Sequence, residues 1–150
     1  MSTKINLWFE TFPNPALEEK IPDIGDFTRL FCAVKFKASG GWSKTFDAII
    51  DTGAPISVIP LDIWLDIDPE ILAEHEIQGI SPRKECTVPA LVGKVKCILI
   101  DDEANQSQEL EILSYLALTN LVPLIIGYRN ILEIFTLHSN YSTNEAYLKL

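Results

Sequence analysis

Short stretches in which apolar and polar residues take turns constrain this chain more than any other feature. Val34, Phe36 and Ala38 alternate with Lys35 and Lys37, and Val95, Cys97 and Leu99 alternate with Lys94 and Lys96. A side-chain period of two sends one set to a buried face and the other to water, the mark of a strand in a half-covered sheet. Ile5, Leu7 and Phe9 repeat the spacing near the N-terminus. Segments 29–38 and 43–50 are both rich in β-formers and are separated by Ser39-Gly40-Gly41-Trp42, which predicts a hairpin. The polar run from Asp101 to Glu109 reads as a second hairpin loop, with 110–118 as the returning strand. Leu124-Ile125-Ile126 is a short apolar strand stopped by Gly127, and 146–150 is a final strand.

Helical signals are fewer. Pro13, Pro15, Pro22 and Gly25 make the stretch after the first strand a loop. Asp68-Pro69-Glu70 supplies a capping carboxylate, a proline for the first helical position and an acidic first turn, so a helix is expected from there to just before Gly79. Ile131, Leu132 and Phe135 have helical spacing within 128–135. With no repeat and no linker, the expectation is one all-β domain over 1–150 with one or two short helices.

Composition narrows the function. A chain of 150 residues, 47% hydrophobic, should bury roughly 68–70% of the surface its unfolded form exposes. Twelve Lys and Arg against twenty-one Asp and Glu leave a net charge of −9. That argues against nucleic acid, which needs a basic footprint. The first ten residues lack the apolar run of a signal peptide, and Pro123 breaks the short apolar stretch at 121–126, so no membrane partner is expected. Three widely spaced cysteines, Cys32, Cys86 and Cys97, form no C-x-x-C pair, and neither His75 nor His138 stands at ligand spacing from one. A reducing cytoplasm, with no metal and no cofactor, is the expectation. Cys86 with His75 is weighed as a thiol-protease pair and set aside in favour of a buried cysteine and a histidine on a helix surface. Glu74-His75-Glu76 lacks the second histidine of a zincin. Trp8, Trp42 and Trp64 are read as core or interface residues rather than a base-stacking platform.

The feature that points to chemistry is the run from Phe46 to Pro60. Asp51 follows an apolar strand, stands at a turn opened by Thr52-Gly53-Ala54, and precedes a second apolar segment, Ser57-Val58-Ile59. Such a turn carries a carboxylate from a rigid strand end to the rim of a cleft. Taken alone, Asp-Thr-Gly is also an ordinary turn. Together with the later Leu124-Ile125-Ile126-Gly127, in that order, the pattern closely resembles the retropepsin family of aspartic proteases. The resemblance covers 46–60 and 122–132.

What the resemblance implies is specific. The fold would be a closed acid-protease barrel of one lobe. Asp51 would activate the attacking water, Thr52 would hydrogen-bond across a dimer axis, Gly53 would allow close backbone approach, and Ala54 would keep the cleft floor small. Ile126 and Gly127 would pack beside the turn at the cleft. A flap would lie between the motifs, with Gly79 and Ile80 in the segment from Ile77 to Val88 as its candidates. The chemistry needs two carboxylates sharing one proton. This chain has a single Asp-Thr-Gly, and Asp23-Ile24-Gly25 falls in the proline-rich loop. A second copy would therefore supply the partner, with the chain ends contributing to an intersubunit sheet. Two departures stand out: where viral members carry a paired acid and arginine, this chain has Pro55 and Tyr128, with Arg129 one place on. The expectation is a homodimeric aspartic endopeptidase acting on an extended peptide or protein substrate. The alternative is a catalytically inactive retropepsin-like dimer that binds peptides or proteins.

Overall fold

The computed structural model describes residues 3–78 and 87–150, and they are mostly β-sheet. Strand β1 (Lys4–Asn6) runs into β2 (Trp8–Phe12), then a single helical turn, α1 (Pro15–Glu18), and the long β3 (Phe27–Ala38). The turn α1 sits inside the segment expected to be loop; the side chain of Asn14 accepts a hydrogen bond from Leu17 N at 3.1 Å and caps it. After β4 (Gly41–Trp42) come β5 (Phe46–Ile50), β6 (Ser57–Ile59), α2 (Leu61–Trp64), β7 (Glu70–Gln78) and β8 (Thr87–Ile100). The chain closes with β9 (Leu110–Ala117), β10 (Ile125–Ile126), β11 (Thr136–Asn140) and β12 (Glu145–Lys149).

The period-two stretches all become strands. The expected glycine hairpin joins β3 to β5, with Val34 opposite Phe46 and Phe31 opposite Ile49. The second expected hairpin joins β8 to β9, from Cys97 opposite Leu110 to Ala90 opposite Ala117. The main sheet runs β2-β3-β5-β10-β6-β9-β8-β7, and β8 also pairs with β3. The pairings therefore leave β3 through β5, β10, β6 and β9 and return to it through β8. Phe36, Ile59, Leu99, Leu116 and Ile131 fill the space so enclosed and are all under 3% exposed.

The helix expected from Asp68 to before Gly79 is instead β7, paired antiparallel with β8 from Glu70 opposite Lys94 to Gln78 opposite Thr87. A capping carboxylate contributes about 1 kcal/mol. A whole edge of β8, fourteen residues long, offers backbone partners along the segment, and Ala73, His75 and Ile77 recur at period two. Tertiary pairing overrides the local start signal. Gly93 makes the approach possible at the near end, since a Cβ there would lie 2.8 Å from both Glu70 O and Leu116 Cδ1.

The chain ends meet each other. A second sheet has the order β1-β12-β11, with Lys4 opposite Lys149 and His138 opposite Tyr147. Both edges of the C-terminal strand are thus occupied within one chain, so the free edges of this sheet belong to β1 and β11. Trp64 is buried and donates its indole N–H to Ala117 O at 2.7 Å, as a core residue should. Trp8 stacks on Phe31 with centroids 6.0 Å apart, whereas Trp42 is 42% exposed. Cys32 and Cys97 are free thiols in the core, and burial pushes Cys97 up to about 12 and Cys32 higher still. Cys86 lies outside the described residues. Among those described, no helix is long and apolar enough to cross a membrane.

The N-terminal strand is tied to the β8–β9 loop by Asp101. Its carboxylate accepts Asn6 N at 2.8 Å, Glu103 N at 3.0 Å, and Asn105 N and Nδ2 at 2.9 Å each. Partial burial pushes its pKa up, but these donors outweigh it and hold the group below its ordinary value. A lowered folded pKa gives stability that is complete above the unfolded value of about 3.9 and lost as pH falls through the folded one. Asp101→Ala should therefore cost about 1–2 kcal/mol in urea unfolding at neutral pH, the partial exposure reducing the full charged-bond figure. The gap between variant and wild type should narrow as pH falls below the ordinary carboxylate value of about 3.9; an undiminished gap in acid would contradict this role.

Candidate functional site

Asp51 stands where β5 ends. Its N–H donates to Ile126 O at 3.0 Å, which pins the strand end to β10. The turn then folds back on the carboxylate: Gly53 N donates to Asp51 Oδ1 at 2.8 Å and Ala54 N to Asp51 O at 3.2 Å. A Cβ at position 53 would come within 3.2 Å of the same Oδ1. The carboxylate is thereby oriented by the chain's own backbone while remaining partly exposed.

The two motifs of the sequence form one unit. Strand β10 lies between β5 and β6, parallel to the first and antiparallel to the second, with Ile125 opposite both Ile49 and Val58. Gly127 N donates to the buried Ser57 Oγ at 3.0 Å. Tyr128 N donates to Ala54 O and Arg129 N to Pro55 O, each at 3.0 Å. A Cβ on Gly127 would fall 2.5 Å from Ala54 O and 2.9 Å from the Ile56 carbonyl carbon, so only glycine fits. The φ of −108° at Gly127 is ordinary; space, not conformation, demands it. Backbone bonds, with no side-chain ion pair, thus join the segments that carry Pro55 and Tyr128. Among the described residues Arg129 forms no ion pair.

After Gly127 the expected helix over 128–135 is only partly formed. Tyr128–Leu132 makes a wide, irregular turn in which Arg129 is extended (ψ 120°) and Asn130 is left-handed (φ 66°). Asn130 Oδ1 accepts Leu113 N at 2.9 Å, and its N–H donates to Glu133 Oε1 at 2.7 Å. Ile131, Leu132 and Phe135 are buried, as their spacing predicts.

A cleft of about 590 Å³ opens in front of Asp51. In register, Ile49, Ile125, Val58, Tyr115, Val92 and Ala73 form one row across β5, β10, β6, β9, β8 and β7. Ile125, Val58 and Tyr115 line the cleft beside Asp51, Gly53, Ala54 and Pro55, and β7 adds His75 and Ile77. Ile126, expected at the cleft, is instead 3% exposed and packs into the core; the period of two gives the cleft position to Ile125. Gly127 lies beneath the turn. Thr52 is exposed, bordering a shallow depression with Tyr128, Arg129 and Glu133. Gly79 and Ile80, the flap candidates, lie outside the described residues. Sequence reasoning does not reach His75, which it places in a helix, although the alternation Ala73, His75, Ile77 signals a strand; Tyr115 falls in an expected strand, but its place at the cleft depends on the pairing with Val58, which no local residue reports.

Compared with known proteins, the chain matches no family model and no curated protein. Among the described residues no group of three or more His, Cys, Asp or Glu is placed to hold a metal ion.

The contact between the motifs is testable by stability. Ser57→Ala would strand the buried Gly127 N–H and should cost about 1–3 kcal/mol. Gly127→Ala should cost at least as much, about 2–3 kcal/mol, because backbone rather than a flexible side chain must yield. Chemical denaturation reads both; a neutral Gly127→Ala would refute the close approach.

Proposed function

We propose that this chain is one subunit of a homodimeric aspartic endopeptidase of retropepsin type. The observation that carries the reading is the lock between the Asp51 turn and the Ile126-Gly127 segment, which holds a partly exposed carboxylate at the end of an apolar cleft. The circuit of strand pairings from β3 back to β3 supports a closed acid-protease barrel of one lobe. Each subunit brings one Asp51 to the two-fold axis, Thr52 bonds across it, and Gly53 and Ala54 leave room for the substrate backbone. An extended peptide lies over Ile125, Val58 and Tyr115, beside β7.

Two carboxylates about 3 Å apart share one proton. The ionised Asp51 takes a proton from water while the protonated one of the partner polarises the scissile carbonyl. The water oxygen bonds to the carbonyl carbon, the C–N bond breaks, and the proton passes to the leaving amine. Metal and cofactor have no role in this scheme. A cytoplasmic setting, where Cys32 and Cys97 stay reduced, fits it.

Asp51→Asn should abolish peptide cleavage, by about 10³-fold or more, and leave the dimer intact in sedimentation. Full activity in that variant would rule out the mechanism. A wild-type dimer that binds peptides but cuts none between about pH 3 and 7 would favour the binding module.

Activity should fall on the alkaline side as the shared proton is lost. Two copies each carrying −9 repel, and roughly 0.1 M salt shortens the screening distance to about 10 Å. Dimer fraction and cleavage should therefore both rise with modest salt or below neutral pH. A flat response at low salt from about pH 4 to 8 would contradict this.

A further inference from the structure

The three-stranded sheet at the chain ends has two outer edges, and they differ. Leu7 N donates to Ala146 O at 3.0 Å and Leu150 N to Thr3 O at 2.9 Å. In an antiparallel ladder, successive residues turn their backbone groups to opposite sides. Strand β12 therefore spends the backbone of Ala146, Leu148 and Leu150 on β1, and that of Glu145, Tyr147 and Lys149 on β11. Opposite these last three lie Asn140, His138 and Thr136. On β1 the same alternation turns Asn6 N outward, where Asp101 Oδ2 accepts it at 2.8 Å. That edge is stopped by a side chain. On β11 the alternation turns the N–H and C=O of Leu137 and Ser139 outward, and among the described residues neither has a further backbone partner.

An open edge normally carries charge or proline that keeps other strands away. The outer strands of the main sheet do so: Glu10 is on β2, and Glu70, Glu74 and Glu76 are on β7. Strand β11 has no Asp, Glu, Lys, Arg or Pro, in a chain with twenty-one acidic residues. Its inner side is already used within the copy, since Leu137 lies in register with the buried Leu148 and packs on the core.

Resting on the homodimer proposed above, we infer that β11 is the strand by which two copies join. The strands at the chain ends pair with each other inside one copy, which leaves this role to β11. Two β11 strands meet antiparallel about a two-fold axis at His138, so that three strands from each copy make one continuous sheet. This register uses both outward residues: Leu137 exchanges a pair of backbone bonds with the partner's Ser139, and the axis repeats the pair. An axis at Leu137 or at Ser139 would set one of them against a residue outside the strand. Thr136 then faces the partner's Asn140, and each His138 faces its counterpart with Cα atoms about 4.5 Å apart. Glu145 lies 3.9 Å from His138 Nε2, so a charge on the ring is met within its own copy.

Sedimentation equilibrium of the full chain tests this. Ser139→Pro removes an outward N–H that bonds to nothing within the copy, and proline is tolerated at such an edge. Half of the joining bonds go, so the dimer Kd should rise about tenfold or more while the circular dichroism spectrum stays unchanged. His138→Glu and His138→Lys each set like charges face to face and should dimerise several-fold more weakly than wild type. An equal mixture of the two should recover the loss, because opposite charges then meet. If Ser139→Pro does not fold, the mixture decides, and no recovery overturns the inference. A folded Ser139→Pro that dimerises like wild type also overturns it and leaves the homodimer joined elsewhere. Wild type that is monomeric at every concentration overturns both. Loss of the dimer in Ser139→Pro supports this interface whether or not wild type cuts peptides, so the protease chemistry fails separately.

Discussion

The structure depends on a contact in which there is no side chain. Gly127 passes under the Ala54 carbonyl so closely that a single methyl group would collide with it. That passage lets β10 enter between β5 and β6 and bond to both. Through it the Asp51 N–H finds Ile126 O, and Tyr128 and Arg129 reach the carbonyls of Ala54 and Pro55. Remove the space and the end of β5 loses its backing. The candidate carboxylate would then sit on a free loop, with no fixed direction.

Around this contact the sheet supplies both a core face and a cleft face. Ile50, Ile126, Ile59 and Leu116 point inward and are nearly inaccessible, while Ile49, Ile125 and Tyr115 are half-buried on the other side. The cleft face is the one that bears Asp51. A half-buried apolar row with a carboxylate at its end suits an extended peptide, whose backbone can pair with strands and whose alternate side chains can rest on the row. The long β8 makes this surface possible by pairing at different points with β7, β9 and β3.

Local pattern was legible wherever burial on one side alone decided it. The alternation around Lys35 and Lys96 foretold β3 and β8, and the Gly-Gly pair foretold their neighbour's hairpin. It misled at 70–78, where helix-start chemistry and strand periodicity coexist and only the free edge of β8 chooses between them. It misled at Ile126 too: in a two-residue strand, which side chain faces the cleft depends on register with Ile49 and Val58, and no local residue reports that register. Asn130 was passed over because its left-handed φ of 66° and its bond to Leu113 exist only once β9 is in place.

By itself the sequence determined the strand-rich class, the hairpins at Gly40-Gly41 and Asp101–Glu109, and the two segments that meet at the site. These follow from side-chain period, turn chemistry and residue type, all of them local. Only the tertiary structure decided that those segments interlock, that β7 is a strand, and that His75 and Tyr115 meet over β8. Each of these rests on backbone edges and spaces created by parts of the chain far apart in sequence, and such long-range pairing leaves no mark in any one stretch.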